Sequence, residues 1–276
     1  MRNWEFAKGH GTQNDFVLLK DRTNSVELTP DDVRFLCNRR AGIGGDGVIR
    51  AVWAKYMPEW TGDPDMWFMD YRNSDGSLAQ MCGNGLRVFA RYLAEEGLSD
   101  AGELAVATRA GQRGVERLTD TSFRADIGQV QVSDAPTWVR LGDASFVATT
   151  VDVGNPHAVV LLPESVNLAG LDLDHSPVFD EQVYPEGANV EFVHVTGPRA
   201  LSMRVFERGS GETMSCGTGV VATAAAQARQ IAGEGHFDVH VPGGDLSVDL
   251  ADGHAHLTGP AVIVAHGSVL LPDDAR

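Results

Sequence analysis

Two stretches of the chain share one plan: Asn73-Ser74-Asp75-Gly76-Ser77-Leu78-Ala79-Gln80-Met81-Cys82-Gly83-Asn84-Gly85 and Glu207-Arg208-Gly209-Ser210-Gly211-Glu212-Thr213-Met214-Ser215-Cys216-Gly217-Thr218-Gly219. Each passes from an acid through glycines to Cys-Gly-polar-Gly. Each then meets a proline-free run rich in Ala, Leu, Arg and Gln, over 86–96 in one case and 220–231 in the other. That density of helix formers predicts one main helix per stretch. Upstream lie two turn-rich segments containing an Asn, Gly11-Thr12-Gln13-Asn14-Asp15 and Gly154-Asn155-Pro156-His157; Asn14 stands 68 residues before Cys82 and Asn155 61 before Cys216. A plan repeated at that interval predicts two homologous α/β halves.

Outward from the helices the chain reads as strands, in short apolar runs bounded by Gly and Pro: 16–19, 48–53, 66–71, 104–108, 122–127, 146–153 and 158–162, then 188–195, 200–206, 236–241, 246–250, 254–258 and 262–271. The predicted class is strand-rich α+β, within the broader α/β class. The predicted halves are 1–120 and 121–265, with the last strand, 266–276, returning to the first half.

The chain has 276 residues, 43% of them apolar, enough to bury a sizeable core. Its 22 Lys and Arg against 38 Asp and Glu give a net charge of −16. That is the wrong sign for a partner made of nucleic acid or for an anionic membrane surface. No apolar run approaches the roughly 20 residues that span a bilayer. Met1-Arg2-Asn3-Trp4-Glu5-Phe6 has no secretory h-region, so the expected location is the cytoplasm. Three widely spaced cysteines, Cys37, Cys82 and Cys216, fit neither a disulfide framework nor paired zinc ligands.

A Cys-Gly-x-Gly turn that opens a helix puts a thiol beside unpaired N–H groups and the positive end of the helix dipole. Such a position lowers a thiol pKa from near 8.5 to about 3.5–7.5, and the same N–H groups bind carboxylates. Two such loops facing each other would set a base and an acid on opposite sides of a bound molecule. Inversion of a carbon bearing a hydrogen requires that layout. Backbone groups of Gly83, Asn84, Gly217 and Thr218 would hold the substrate carboxylate and stabilise charge at the α-carbon, so no cofactor and no metal is called for. The competing reading of each cysteine is a small buried apolar residue, and this is the preferred one for Cys37.

The motif Asn73-x-Asp75-Gly76-Ser77-x4-Cys82-Gly83-Asn84-Gly85-x-Arg87, with the Glu207 to Gly219 block, resembles the diaminopimelate epimerase family. The resemblance extends to His10-Gly11-x2-Asn14-Asp15-Phe16, Gly154-Asn155-Pro156-His157 and Gly187-x-Asn189-Val190-x-Phe192, in order along nearly the whole chain. Proline racemases share the cysteine pair but lack the Glu-Arg-Gly-x-Gly-Glu-Thr block; phenazine-type isomerases lack the cysteine pair. The resemblance implies two pseudo-symmetric halves, each a curved sheet around a central helix, with the active site in the cleft between them. It implies a cofactor-independent isomerase that interconverts LL-2,6-diaminopimelate and its meso form, on the route to lysine and peptidoglycan, and a homodimer. Carried across, Cys82 and Cys216 are the catalytic acid/base pair, assisted by His157 and Glu207. Asn14, Asn73, Gly83, Asn84, Asn155, Asn189, Glu207, Arg208, Gly217 and Thr218 match substrate-binding positions.

Each has a plainer reading: the Asn residues as turn formers, Glu207 and Arg208 as a surface ion pair, Arg87 as a structural residue. Three positions depart from the family pattern. Gly47 stands where some members carry Gln, Gln13 where many carry Gly, and Val264-Ala265-His266-Gly267 lacks a tyrosine that some members use at a dimer contact. Gly42-x-Gly44-x-x-Gly47 matches a dinucleotide fingerprint only formally, since a strand is predicted after it where a helix belongs. His254-x-His256 puts two rings on one strand face with no third metal ligand evident in the sequence. The alternative of a different class is a redox sensor in which Cys82 and Cys216 form a regulatory disulfide.

Overall fold

The structure is a computed structural model that describes residues 2–272. It falls into two compact units, Met1–Ala125 with Gly259–Arg276, and Asp126–Thr258. Among the described residues no helix is long and apolar enough to cross a membrane.

The first unit begins with β1 (Arg2–Gly11), β2 (Asn14–Lys20), α1 (Pro30–Cys37), β3 (Gly47–Trp53) and β4 (Trp67–Asn73). It continues with α2 (Gly83–Glu95), β5 (Glu103–Thr108), β6 (Gly111–Arg117) and the start of β7 (Ser122–Gln129). The second unit holds β8 (Gln131–Leu141), β9 (Ala144–Asp152), β10 (Pro156–Leu161), β11 (Val178–Phe179), β12 (Asn189–Gly197), β13 (Ala200–Glu207) and β14 (Gly211–Thr213). After α3 (Gly217–Gln230) come β15 (Gly235–Val241), β16 (Gly244–Ala251) and β17 (His254–Pro260). The chain then returns as β18 (Val262–Leu271), antiparallel to β1, with Arg2 opposite Leu271 and His10 opposite Val262.

Strand pairing in the first unit runs β18-β1-β2-β3-β4-β5-β6-β7, and in the second β8-β9-β10-β12-β13-β15-β16-β17. In both, the successive pairings are antiparallel, antiparallel, parallel, antiparallel, parallel, antiparallel, antiparallel. Each main helix is the crossover of the second parallel pair, α2 from β4 to β5 and α3 from β13 to β15, as parallel neighbours require. The duplication read from two loops is thus a duplication of the whole pairing scheme.

Each sheet wraps its helix. α2 packs against β1, β2, β3, β4, β6 and β18, burying Leu86, Val88, Phe89 and Leu93. α3 packs against β8, β9, β10, β12, β13, β15 and β16 and is buried nearly all round. A helix so enclosed needs small side chains, which accounts for Ala222, Ala224, Ala225, Ala226 and Ala228. Both helices begin a turn before the predicted 86 and 220. The glycines read as loop, but Cys82 (φ −143°, ψ 119°) and Cys216 (φ −116°, ψ 114°) are extended N-caps and the glycines form the first turn.

Five strands escaped the apolar-run reading, the short β11 and β14 and the longer β1, β6 and β8. β1 buries only Trp4, Ala7, Gly9 and Gly11 and shifts register at Lys8/Gly9. β6 buries only Val115, and β8 is mostly exposed and contains Pro136. The units divide at 125/126 and 258/259, near but not at the predicted 120/121 and 265/266. β7 runs through the first division, and the last strand is Val262–Leu271, the run read as a strand from the sequence, so the segment returning to the first unit begins before 266. Residues 273–276 of the predicted final strand lie outside the described residues. Gly42-x-Gly44-x-x-Gly47 leads into β3, not a helix, as the sequence reading required.

Candidate active site

In the first unit the N-cap thiol of Cys82 is half-buried, and the Gly85 N–H donates to its sulfur at 3.3 Å. Cys82 Sγ lies 3.7 Å from Asn14 Oδ1, and Asn84 Nδ2 donates to that same oxygen at 3.3 Å. Asn14 starts β2 just after Thr12 (φ 49°) and Gln13 (φ 63°), which make the left-handed hairpin turn between β1 and β2. The substitution of Gln for Gly at 13 is therefore accommodated in a conformation that favours glycine.

Behind Asn14 stands a charged network invisible to spacing arguments. Asn14 Nδ2 donates to Asp46 Oδ2 at 2.8 Å, and Arg39 bridges Asp46 (2.7 Å) and Asp15 (2.9 and 2.8 Å). Burial alone would push Asp15 up, yet Arg39 and Lys8 hold its carboxyl well below the usual range. Burial and the neighbouring Asp15 push Asp46 up. Gly47 begins β3 beside this network, where a Cβ would stand 2.5 Å from the Arg72 carbonyl oxygen and 2.6 Å from the Tyr71 ring. The chain therefore has no room at 47 for the Gln of other members unless Tyr71 and β4 shift.

Asn84 and Arg87 are fully buried. Arg87 Nη2 donates to Asn84 Oδ1 at 2.9 Å and Nη1 to the Gly83 carbonyl at 3.4 Å. Burial lowers the Arg87 guanidinium to about 10, while the negative charge of an ionised Cys82 opposes the shift. Arg87 thus locks the first turn of α2, and the Asn84 side chain is committed to Arg87 and Asn14. Asn73 is not drawn into this group; its Nδ2 donates to Ser77 Oγ at 3.1 Å within the turn after β4.

In the second unit Cys216 is buried; its sulfur lies 3.5 Å from Thr218 Oγ1, and the Gly219 N–H in the first turn of α3 acts on it as Gly85 does on Cys82. Burial first, then the carboxylates of Glu207 and Glu191, push this thiol well above its ordinary value, with the Thr218 hydroxyl and the Gly219 N–H opposing. At Cys216 burial and the two acids therefore act against the thiolate that a helix start favours. Glu207 Oε1 accepts from Thr213 Oγ1 at 2.5 Å. The parallel register of β10 and β12 puts His157 opposite Asn189, and Asn189 Oδ1 accepts from the Arg208 N–H at 3.0 Å. Arg208 is exposed and spends Nη1 on the Glu186 carbonyl at 3.1 Å. His157 is fully buried, with Nδ1 2.6 Å from Glu191 Oε1 and Nε2 3.1 Å from Asn155 Oδ1.

Glu191 is the residue that sequence reasoning passed over, as the unnamed position in Asn189-Val190-x-Phe192. Strand alternation assigns it to the face opposite Val190 and Phe192, but Asn189 through Val193 are all buried because α3 covers that second face. An acid inside a run predicted as strand was the available signal.

The His254-x-His256 reading also changes. Asp126, on β7, brings a third possible ligand atom, and all three lie within 4.8 Å of one another. His254 already has both ring nitrogens engaged, Nε2 with Asp126 at 2.7 Å and Nδ1 with Gln129 at 3.3 Å. His254 is therefore satisfied by hydrogen bonding.

Comparison with known proteins fits this geometry. The family profile described as Diaminopimelate epimerase matches residues 6–133 and 149–268. Diaminopimelate epimerase of Thermobifida fusca is 48% identical over 272 residues, covering 96% of this chain and 98% of that one. The Corynebacterium glutamicum protein of the same name is 47% identical over 271 residues (96% and 97%), and that of Streptomyces coelicolor 45% over 274 residues (95% and 94%). In fold the chain is similar to a hydroxyproline epimerase from Agrobacterium vitis (TM-score 0.70, 15% identity, 99% of this chain and 94% of that one). It is equally similar to a phenazine biosynthesis protein of the PhzF family from Bacillus anthracis (TM-score 0.69, 15% identity, 98% and 100%). With the profile matching both halves, and relatives at 45–48% identity along nearly its full length, the chain belongs to the diaminopimelate epimerase family and is an isomerase of the epimerase kind.

Proposed function

We propose that this chain interconverts LL-2,6-diaminopimelate and meso-diaminopimelate without a cofactor, using Cys82 and Cys216 as an acid/base pair, in lysine and peptidoglycan biosynthesis in the cytoplasm. The observation that carries the reading is the matched pair of cysteine N-caps on equivalent helices of two units with one pairing scheme. The names and identities of the relatives support the substrate.

The mechanism requires the two sulfurs on opposite faces of one bound α-carbon. Cys82, with a backbone N–H donating to its sulfur, is the base that removes the α-proton. Cys216, held protonated by burial and two carboxylates, is the acid that delivers its S–H proton to the other face. One turnover leaves Cys82 as thiol and Cys216 as thiolate, so the reverse reaction starts from the swapped pair. The N–H groups at the first turns of α2 and α3 (Gly83, Asn84, Gly217, Thr218) bind the α-carboxylate and stabilise the transient negative charge. His157 and Glu207 supply and accept protons when the thiols are reset. Arg208 takes the distal carboxylate, and Asn14, Asn73, Asn155 and Asn189 orient the ammonium and carboxylate groups. A homodimer is part of the same reading.

Proton NMR of LL-diaminopimelate in D2O with the reduced protein, nothing else added, tests this. Loss of the α-proton signal together with meso product is the expected result. Neither appearing in a folded, reduced sample would overturn the substrate assignment. Cys82→Ala and Cys216→Ala should each abolish epimerisation while keeping the fold; wild-type turnover in either variant would sink the two-cysteine mechanism.

A further inference from the structure

We infer that Glu191 is a positioning residue of this epimerase, acting through His157 to fix the ring against the first turn of α3; the inference rests on the reading of the site given above. Glu191 and His157 sit on parallel neighbours, β12 and β10, and both side chains are 0% exposed. Their contact, Nδ1 to Oε1, is 2.6 Å. The ring is held at its other end by Asn155 Oδ1 at 3.1 Å, so His157 has one orientation available to it.

Stability does not account for this carboxylate. A buried ionic pair rarely outperforms apolar residues of similar volume. Here the case is weaker still, since Glu191 Oε2 is buried with no hydrogen-bond partner among the described residues. An acid kept at such a cost, beside the cysteine-bearing helix, points to a function for the contact it does make.

The helix is shaped to admit it. A Cβ at Gly219, in the first turn of α3, would stand 2.6 Å from Glu191 Oε1. The carboxylate oxygen therefore occupies space that any other residue at 219 would claim. Glu191 spans from the Cys216 turn to the His157 ring, and sets the distance between them as the orienting acid of a catalytic triad sets its histidine.

Two measurements test this. In protein with 15N-labelled histidine, the His157 Nδ1–H should appear as a strongly downfield, slowly exchanging signal in the wild type and move upfield in Glu191→Gln, which keeps shape and loses charge. In α-proton exchange, Glu191→Gln should lower kcat by roughly tenfold to a hundredfold, the usual effect of losing an orienting partner, with KM within about twofold of wild type. A merely structural role would lower the melting temperature without that split. Unchanged kcat in folded Glu191→Gln, or a wild-type His157 with no proton on Nδ1, would overturn the inference. Should Glu191→Gln fail to fold, Gly219→Ala displaces the same oxygen with the charge retained, and should shift the same signal. A wild type inactive on diaminopimelate but with the downfield signal intact would remove the substrate reading and leave the His157–Glu191 contact standing.

Discussion

The three thiols occupy different environments, and their chemistry should rank accordingly. Cys37 closes α1 in an apolar cluster with Val33 and Leu36, and burial pushes it up to about 12. Cys216 is raised by burial and by two acids, whereas Cys82 is half-buried with an N–H donating to its sulfur. Alkylation by iodoacetamide at about pH 8, read by peptide mass spectrometry, should label Cys82 at least roughly tenfold faster than the other two, because only thiolate reacts. Equal rates, or Cys216 labelled first, would reverse the assignment of resting base and acid. Sign and window follow for stability as well. A thiol with a raised folded value contributes stability that is complete below its ordinary value of 9.0 and is lost as pH rises through the folded one, about 12 for Cys37.

At the scale of elements, β3 and β4 are joined by more than their ladder. Asp70, fully buried, pairs with Arg50 at 2.9 Å and Arg109 at 2.5 Å, and Arg50 also reaches Asp21 at 3.2 Å. Burial works against the Asp70 carboxylate, but Arg50, Arg72 and Arg109 together hold it below the usual range. Asp70→Asn leaves Arg50 with Asp21 and Arg109 with Glu59 as their remaining carboxylates, removes the one acid they share, and should cost about 3–5 kcal/mol in urea unfolding. A loss under about 1 kcal/mol would mean the network is solvated and minor. Since the folded carboxyl value is depressed, the stabilisation is complete above the unfolded carboxylate value of 3.8 and is lost as pH falls below it. The wild type should therefore lose stability faster than Asp70→Asn under acid.

At the scale of the whole molecule, β18 closes the first unit from the far end of the chain, pairing with β1 and packing on α2. It carries Val264 at 55% and Leu270 at 59% exposure. On the homodimer reading, sedimentation equilibrium should return about twice the 29.6 kDa of one chain. A single-chain mass would remove the dimer from the reading without touching the chemistry. On the same homodimer reading, Val264→Lys, placed on an exposed apolar position of β18, should lower that mass toward one chain.

What the sequence determined by itself was the duplication and its two cysteine-bearing helix starts, because local rules govern both. Cys-Gly-x-Gly before a helix-forming run names an N-cap and a first turn, and the repeat of that plan names two units. Strands with long apolar runs were legible for the same reason, while β1, β6 and β8, glycine-bearing, charged or mostly exposed, took their structure from their neighbours. Only the tertiary structure decided the electrostatics. Equivalent helix starts promise equivalent thiols. Yet burial of Cys216 beside Glu191 and Glu207, residues 25 and 9 positions earlier in the chain, reverses the promise at one of them. Desolvation and charge act through space, so the partners of His157 and the difference between the two cysteines exist only once β10, β12 and α3 are packed together.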